Sequence, residues 1–160
     1  MGESNMGLQG SVEAIFLIPG EGLAPQRVVS ALAHAGRGLE GDRHFDEPDA
    51  CDLSLIEAEA IDAFKVESGI DLTGGGSRRQ VIVRGVDLGD FIGKRFRVGE
   101  VECEGEERCE PCNHLAGMLQ TQVVLKGLLH TGLRARVLRG GTLRAGDSVE
   151  LVDLAALVKG

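Results

Sequence analysis

Hydrophobic and polar residues alternate over several short stretches of the chain, which is the pattern of half-buried β-strands. In the first stretch, residues 11–18, the alternation predicts one apolar face made of Val12, Ala14, Phe16 and Ile18. Related patterns predict further strands at residues 28–33, 52–55, 80–84, 95–98, 101–106, 133–138 and 148–152. Because glycine-rich turns separate these stretches, we expect a mostly β protein with short helices, of the α+β class, folded as a compact barrel.

Two segments have the period of a helix instead. Ser54 and Glu57 have the spacing of a capping box, which predicts that a helix covers residues 57–67. The apolar stripe of this helix is expected to consist of Ile56, Ala60, Ile61 and Phe64. Gly69 is expected to end it. A second, mostly helical segment is predicted at residues 115–129.

Length and charge restrict the class of protein. The 160 residues suit one domain, which we place at residues 10–152, between a flexible N-terminus (residues 1–9) and a C-terminal tail (residues 153–160). The net charge of −8 and the lack of a basic block argue against a nucleic-acid partner. There is no apolar run of membrane-spanning length and no secretion signal, so we expect a soluble, cytoplasmic protein that does not enter a membrane.

A glycine-rich loop at residues 36–48 contains the letters of a dinucleotide-binding fingerprint, Gly36-x-Gly38-x-x-Gly41. That fingerprint requires a helix that starts within it, so that helix amides meet a pyrophosphate. The residues that follow have no apolar period, and Pro48 forbids a continuing helix. We therefore expect the glycines to serve the backbone of a loop rather than a nucleotide.

Charged residues in this loop and in a later turn are candidate ligand contacts. Arg37, Arg43 and His44 together could donate to an oxyanion, and a solvated turn with ion pairs to Asp42 or Asp46 is an equal alternative. The acidic residues and His44 also resemble ligands of a hard metal ion, although such residues cluster more often in solvated loops: Asp42, His44, Asp46 and Asp49. The paired Arg78 and Arg79, between three glycines and a strand, could grip a phosphate.

The cysteines carry the sharpest local signal, Cys109-Glu110-Pro111-Cys112. Three chemistries fit it: a redox disulfide, a zinc site, or one reactive thiol that binds a softer metal or carries sulfur. The zinc site would draw on a set of four residues, namely Cys103, Cys109, Cys112 and His114. Cys112 precedes the second predicted helix, whose N-terminal amides would lower the thiol pKa, whereas neighbouring glutamates oppose that effect. Cys51 and Cys103 lie in apolar strand contexts, and we expect both to be buried.

Taken in order, several segments of the chain resemble one family, the MOSC domain, which is named for the C-terminal domain of molybdenum cofactor sulfurases. No single segment is specific, but their order along the chain is. The matching segments are Gly38–His44, Arg78–Val83, Gly85–Leu88 with Gly93, Phe96–Gly99, Cys109–Cys112 and Gly140–Asp147.

The resemblance implies a barrel-like fold with a pocket for the molybdenum cofactor, a pterin dithiolene that carries a phosphate. It implies that Cys112 is the functional thiol, as molybdenum ligand or sulfur carrier, and that four residues hold the anionic part of the cofactor: Arg43, His44, Arg78 and Arg79. The implied activity is sulfur transfer for cofactor sulfuration or molybdenum-dependent reduction of N-hydroxylated compounds. The alternative is a non-catalytic module with a structural zinc at the two cysteines.

The resemblance also bears on partners. A cysteine desulfurase would serve as the protein partner in sulfur transfer, and an electron-donor protein in reduction. We expect neither the pyridoxal-phosphate half of the eukaryotic sulfurases nor the β-barrel domain that precedes MOSC in amidoxime reducers to accompany this domain. No lysine has a context that suggests a Schiff base, so we expect no pyridoxal phosphate.

Overall fold

The computed structural model describes residues 8–47, 51–108 and 132–152. These residues form eleven strands, one α-helix and one short 3-10 helix (Leu88–Phe91). The strands are β1 (Leu8–Leu17), β2 (Gln26–Val28), β3 (Ser30–His34), β4 (Gly38–Leu39), β5 (Leu53–Glu57), β6 (Val81–Val86), β7 (Arg95–Val98), β8 (Val101–Arg108), β9 (Gly132–Arg139), β10 (Gly141–Arg144) and β11 (Ser148–Leu151). The α-helix, α1, spans Ala58–Ser68 and connects β5 to β6.

Seven of the strands close into a barrel. Their order is β11-β7-β8-β9-β5-β6-β1, and β1 pairs back onto β11. The connection from β5 through α1 to β6 joins two parallel strands, as such a crossover must, and the other ladders are antiparallel. Strand β2 extends the wall beside β1, and β10, β3 and β4 form a separate small sheet. The compact, mostly β barrel expected from the sequence is confirmed.

Two apolar clusters stabilise this arrangement. The larger cluster fills the inside of the barrel, where Phe91 and Phe96 pack with ring centroids 4.8 Å apart. The smaller cluster lies outside the wall, where α1 covers β1, β5 and β6. Its members are Ala14, Phe16, Ile56, Ala58, Ile61, Phe64, Leu72 and Ile82. Strands under the helix are therefore buried on both faces.

Helix α1 starts one residue later than predicted, and the predicted capping box is wrong. Glu57 is the N-cap but makes no side-chain cap hydrogen bond, because its carboxylate accepts from the Leu88 amide at 2.9 Å. Ser54 lies within β5 and not in the first turn of the helix. The end was predicted correctly, since Gly69 adopts a left-handed conformation with φ of 78°.

The single apolar face predicted for the first strand is also wrong. Val12 pairs with Val83, but Ala14 pairs with Ile82, so one extra residue on β1 forms a β-bulge. Val12 consequently faces the inside of the barrel, whereas Ala14 and Phe16 face α1 on the outside.

Other differences concern short segments. The strand predicted at 28–33 is divided into β2 and β3 at Val29, and the glycine-rich loop contains the two residues of β4. The helix predicted at residues 115–129 lies outside the described residues. Within the described part of the chain, no helix is long and apolar enough to cross a membrane.

Candidate functional site

A buried carboxylate connects the loop after β4 to the C-terminal end of β1 through hydrogen bonds. Asp42 is 6% exposed and accepts hydrogen bonds from the amides of Ile18 at 2.9 Å and His44 at 3.1 Å. The Arg43 amide in turn donates to the Ile18 carbonyl at 2.8 Å. The sequence presented Asp42 as an ion-pair or metal candidate, and its contacts instead make it the residue that positions Arg43.

Arg43 carries a donor that the described residues leave unsatisfied. Its Nε is buried and has no hydrogen-bond partner there, although the side chain as a whole is half-buried. A buried donor without an acceptor costs about 1–3 kcal/mol. An anion beside Arg43 would supply the missing acceptor, so the residue fits the anionic part of a cofactor.

Arg37, by contrast, is engaged within the same loop. Its Nε and Nη2 donate to the two carboxylate oxygens of Asp46 at 2.6 and 2.7 Å, and its guanidinium lies 4.8 Å from the centroid of the Phe45 ring. The hydrogen bond from Arg37 lowers the pKa of Asp46. His44 is similarly held, with Nδ1 at 2.8 Å from Glu47 Oε1. The expected ion pair with Asp46 therefore occurs at Arg37, and donation to an oxyanion stays a prediction for Arg43.

Arg78 and Arg79 lie in a tight turn before β6, and both are half-buried. Arg78 has a left-handed backbone with φ of 59°, which is uncommon for a residue with a side chain, and its Nη1 donates to the Leu23 carbonyl at 3.3 Å. The turn packs closely: a Cβ on Gly75 would lie 2.8 Å from Pro25 and 2.9 Å from Phe16. The shape of this turn thus requires glycine at position 75.

Gln80 brings this turn to the same strand end as Arg43. Its carbonyl accepts from the Phe16 amide at 2.7 Å, and its buried side chain accepts from the Ser54 amide at 2.9 Å. Phe16 and Ile18 are close neighbours at the end of β1, so the turn and the Asp42 loop meet there. We call this region, made of Arg43, His44, Arg78 and Arg79 around the end of β1, the basic end. No role was predicted for Gln80, although a polar residue directly before an apolar strand is a usable signal.

Cys109, Cys112 and His114 lie outside the described residues, and so does Asp49. The strands on either side of that segment are described. Arg108 pairs with Leu133, Leu133 with Leu55, and Leu55 with Val81 at the start of β6. The end of β8 and the beginning of β6 therefore share one row of the wall, three strand spacings or about 14 Å apart.

The two described cysteines differ in their burial. Cys103 is buried in the barrel interior, as predicted, and burial raises its pKa to about 12. Cys51 is half-buried, so the prediction of full burial is wrong for it. The described residues contain no group of three or more His, Cys, Asp or Glu side chains that could hold a metal ion. The loop of Asp42, His44 and Asp46 accordingly forms no metal site in that part of the chain.

Comparison with known proteins gives one family. The model of the MOSC domain matches residues 40–150, a range that contains Asp42, Arg43 and both arginines of the turn. No functionally curated protein matches the chain in sequence.

Several solved structures share the fold. The YuaD protein from Bacillus subtilis superposes with a TM-score of 0.74 at 16% identity, over 90% of this chain and 96% of that one. YiiM from Geobacillus stearothermophilus gives 0.72 at 16% identity, over 90% and 75%. YiiM from Escherichia coli gives 0.66 at 19% identity, over 89% and 70%. At these identities the likeness establishes the fold.

Proposed function

Because this chain belongs to the MOSC domain family, which is associated with the molybdenum cofactor, we propose that it binds that cofactor at the basic end. The observation that carries this proposal is the buried Nε of Arg43, which lies beside the C-terminal end of β1 and has no hydrogen-bond partner among the described residues. Arg78, whose Nη1 donates to the Leu23 carbonyl, and Arg79 border the same strand end and would share the negative charge. Arginine suits this role because its planar fork matches phosphate oxygens.

Within this proposal, Cys112 supplies the soft ligand. A thiolate is a preferred ligand of soft metals and the nucleophilic form of cysteine. The bound cofactor would supply a redox-active metal that takes up sulfur or exchanges electron pairs. His44, held by Glu47, would contribute a further donor toward the anionic group.

Sulfur transfer is one form of the activity. The Cys112 thiolate would attack the outer sulfur of a persulfide on a cysteine desulfurase. The donor S–S bond breaks, the donor thiolate leaves, and Cys112 carries the sulfur as a persulfide. In the other form, an electron-donor protein supplies two electrons and two protons are taken up, so that the N–O bond of an N-hydroxylated compound is cleaved and water is released.

Arg43→Met tests the basic end, because methionine keeps an apolar stem and removes every donor. In the cofactor-free protein we expect unchanged or slightly higher stability in urea denaturation, since an unsatisfied donor is lost. In protein purified from a molybdenum-replete host, we expect molybdenum per chain to fall at least about tenfold relative to wild type, as loss of a charge-assisted contact predicts.

Arg37→Met is the matched control in the same loop. It removes the ion pair with Asp46, so it should lower stability slightly and leave the molybdenum content unchanged. If instead Arg43→Met destabilises the protein and keeps its molybdenum, Arg43 has a structural role and the proposal fails.

Substitution of the thiols separates this proposal from the zinc alternative. Cys112→Ser should abolish bound molybdenum or persulfide with little change in melting temperature, whereas Cys109→Ser should have a milder effect. Loss of zinc and a lower melting temperature in both variants would establish a structural metal in place of the molybdenum proposal.

A further inference from the structure

A groove lies on the outside of the barrel wall, between helix α1 and the strands β6, β1 and β2. Its floor and one side are apolar and are formed by Ala14 and Ile82 of the wall with Ala58 and Ile61 of α1. The groove encloses about 320 Å³, part of which is open to solvent. The helical residues that line it belong to the N-terminal half of α1, and the basic end contributes none of its lining.

The acidic wall of this groove is organised by one arginine. Arg84 donates to both carboxylate oxygens of Glu13, at 2.5 and 3.2 Å, and to Asp62 Oδ2 at 2.9 Å. Two carboxylates therefore share one guanidinium, and this wall keeps a net negative charge. Within the described part of the chain, Asp62 Oδ1 takes no hydrogen bond and remains available as an acceptor.

The basic wall of the groove is Arg27 on β2. Strand β2 pairs with β1 on the side away from β6, so Arg27 borders the groove opposite the helix. Its cross-strand partner is Phe16, an apolar residue. The Arg27 side chain is exposed and makes no hydrogen bond or ion pair with any described residue. Its guanidinium is thus available to a ligand.

From these charges we infer that the groove binds a free amino acid with an aliphatic side chain. The carboxylate would pair with Arg27, the ammonium group with Asp62, and the side chain would rest on Ala14 and Ile82. A zwitterion matches walls of opposite sign, and an aliphatic group matches the apolar floor. This site is independent of the proposed cofactor site, because the two share no residue.

Titration of the whole protein with L-leucine, followed by amide NMR, tests this inference. We expect saturable shifts at residues 13–14, 27, 61–62 and 82. Two analogues identify the contacts: 4-methylpentanoate lacks the ammonium group, and 3-methylbutylamine lacks the carboxylate. Each should bind at least about tenfold more weakly than leucine, since each loses one charge-assisted contact.

Arg27→Gln should reduce leucine affinity by a similar factor. Arg97→Gln should not change it, because Arg97 is an exposed arginine on β7 that does not line the groove. Absence of saturable shifts would overturn the inference. Equal binding of leucine and 4-methylpentanoate would also overturn it, because the acidic wall would then contribute nothing. Loss of binding in both arginine variants would mean that total charge, rather than this groove, attracts the ligand, and would refute it as well.

Discussion

The two halves of the barrel wall differ in how their outer faces are stabilised. On β5 and β6, α1 covers the wall, so Ile56 and Ile82 are buried on the outer face as Leu55 and Val81 are on the inner face. On β7 and β8, no described element covers the outside, and burial alternates along each strand. The covered half is therefore held by packing on both faces, and the uncovered half by packing on one face only.

The outside of the uncovered half carries charged side chains, where the covered half has apolar contacts. Four residues on adjacent strands form a row of alternating sign: Glu150, Arg97, Glu102 and Arg139. A neighbouring row runs from Arg95 through Glu104 to Arg136. Opposite charges across a pair of strands favour one register over a shifted one. We infer that apolar contacts specify the strand register under the helix, and that charge patterning specifies it in the uncovered half.

The largest effect is expected under the helix, from Phe64→Ala. Phe64 is 1% exposed and packs against the outer faces of β1, β5 and β6. Removal of a buried phenyl ring should lower the free energy of unfolding by about 3–5 kcal/mol, measured by urea denaturation. Val66→Ala on the same helix is the control, since Val66 is 86% exposed, and it should change stability by less than about 0.5 kcal/mol. A loss below about 1 kcal/mol at Phe64 would mean that α1 contributes little to the covered half.

The second-largest effect is expected from titration of Cys103, which lies inside the barrel behind the uncovered half. Burial, with smaller contributions from Asp52 and Glu102, raises the pKa of Cys103 from 9.0 to about 12. Between these values the unfolded chain loses the thiol proton and the folded chain keeps it, so stability present below pH 9 is lost as the pH rises toward 12. The loss should be about 1.4 kcal/mol per pH unit at most.

Stability measured by urea denaturation from pH 8 to pH 11 checks this expectation. The chain has no tyrosine, so phenol groups do not titrate in this range. Cys103→Ala should be less stable than wild type at pH 8 and should show a shallower decline at higher pH. Parallel declines in the two proteins would show that Cys103 titrates normally and is more accessible than the packing indicates.

The same comparison explains which parts of the fold the sequence could predict. Strand β7 was predicted with its observed bounds because its alternation reflects one-sided burial, a purely local property. On β1 the alternation wrongly predicted a single apolar face, because the bulge between Val12 and Ala14 depends on pairing with β6. The capping box failed for a related reason: Glu57 reaches Leu88, and Ser54 pairs with Gln80. Each failure comes from a partner distant in sequence.

The candidate site shows the same limit. Residue type identified Arg37, Arg43 and His44 as a group of donors, and the family resemblance selected Arg43 and His44, but neither could rank these donors by whether the fold already satisfies them. Their ranking depends on the bond between Asp42 and Ile18, which spans 24 residues and places Arg43 against the barrel while Arg37 pairs with Asp46. Sequence reasoning therefore proposed the residues, and only the folded contacts distinguish a satisfied arginine from an unsatisfied one.

The smallest effect is expected from Arg97→Glu, which reverses one charge in the outer row. Glu102 and Glu150 flank Arg97 on the neighbouring strands, so the variant places three acidic side chains in succession. We expect a loss of about 0.5–1 kcal/mol in the free energy of unfolding, measured by urea denaturation at low salt. The loss should shrink as salt is raised, because exposed charges are screened over about 10 Å at 0.1 M ionic strength.

Two controls establish whether the row acts as a unit. Arg97→Gln removes the charge without reversing it and should cost less than Arg97→Glu. Adding Glu102→Arg to Arg97→Glu restores alternation between β7 and β8, although it places a second basic side chain opposite Arg139, so rescue should be partial. A salt-independent loss in Arg97→Glu would attribute the effect to packing of the arginine stem along the wall. In that case charge would not specify register in the uncovered half, and the two halves would differ only in how much apolar surface they bury.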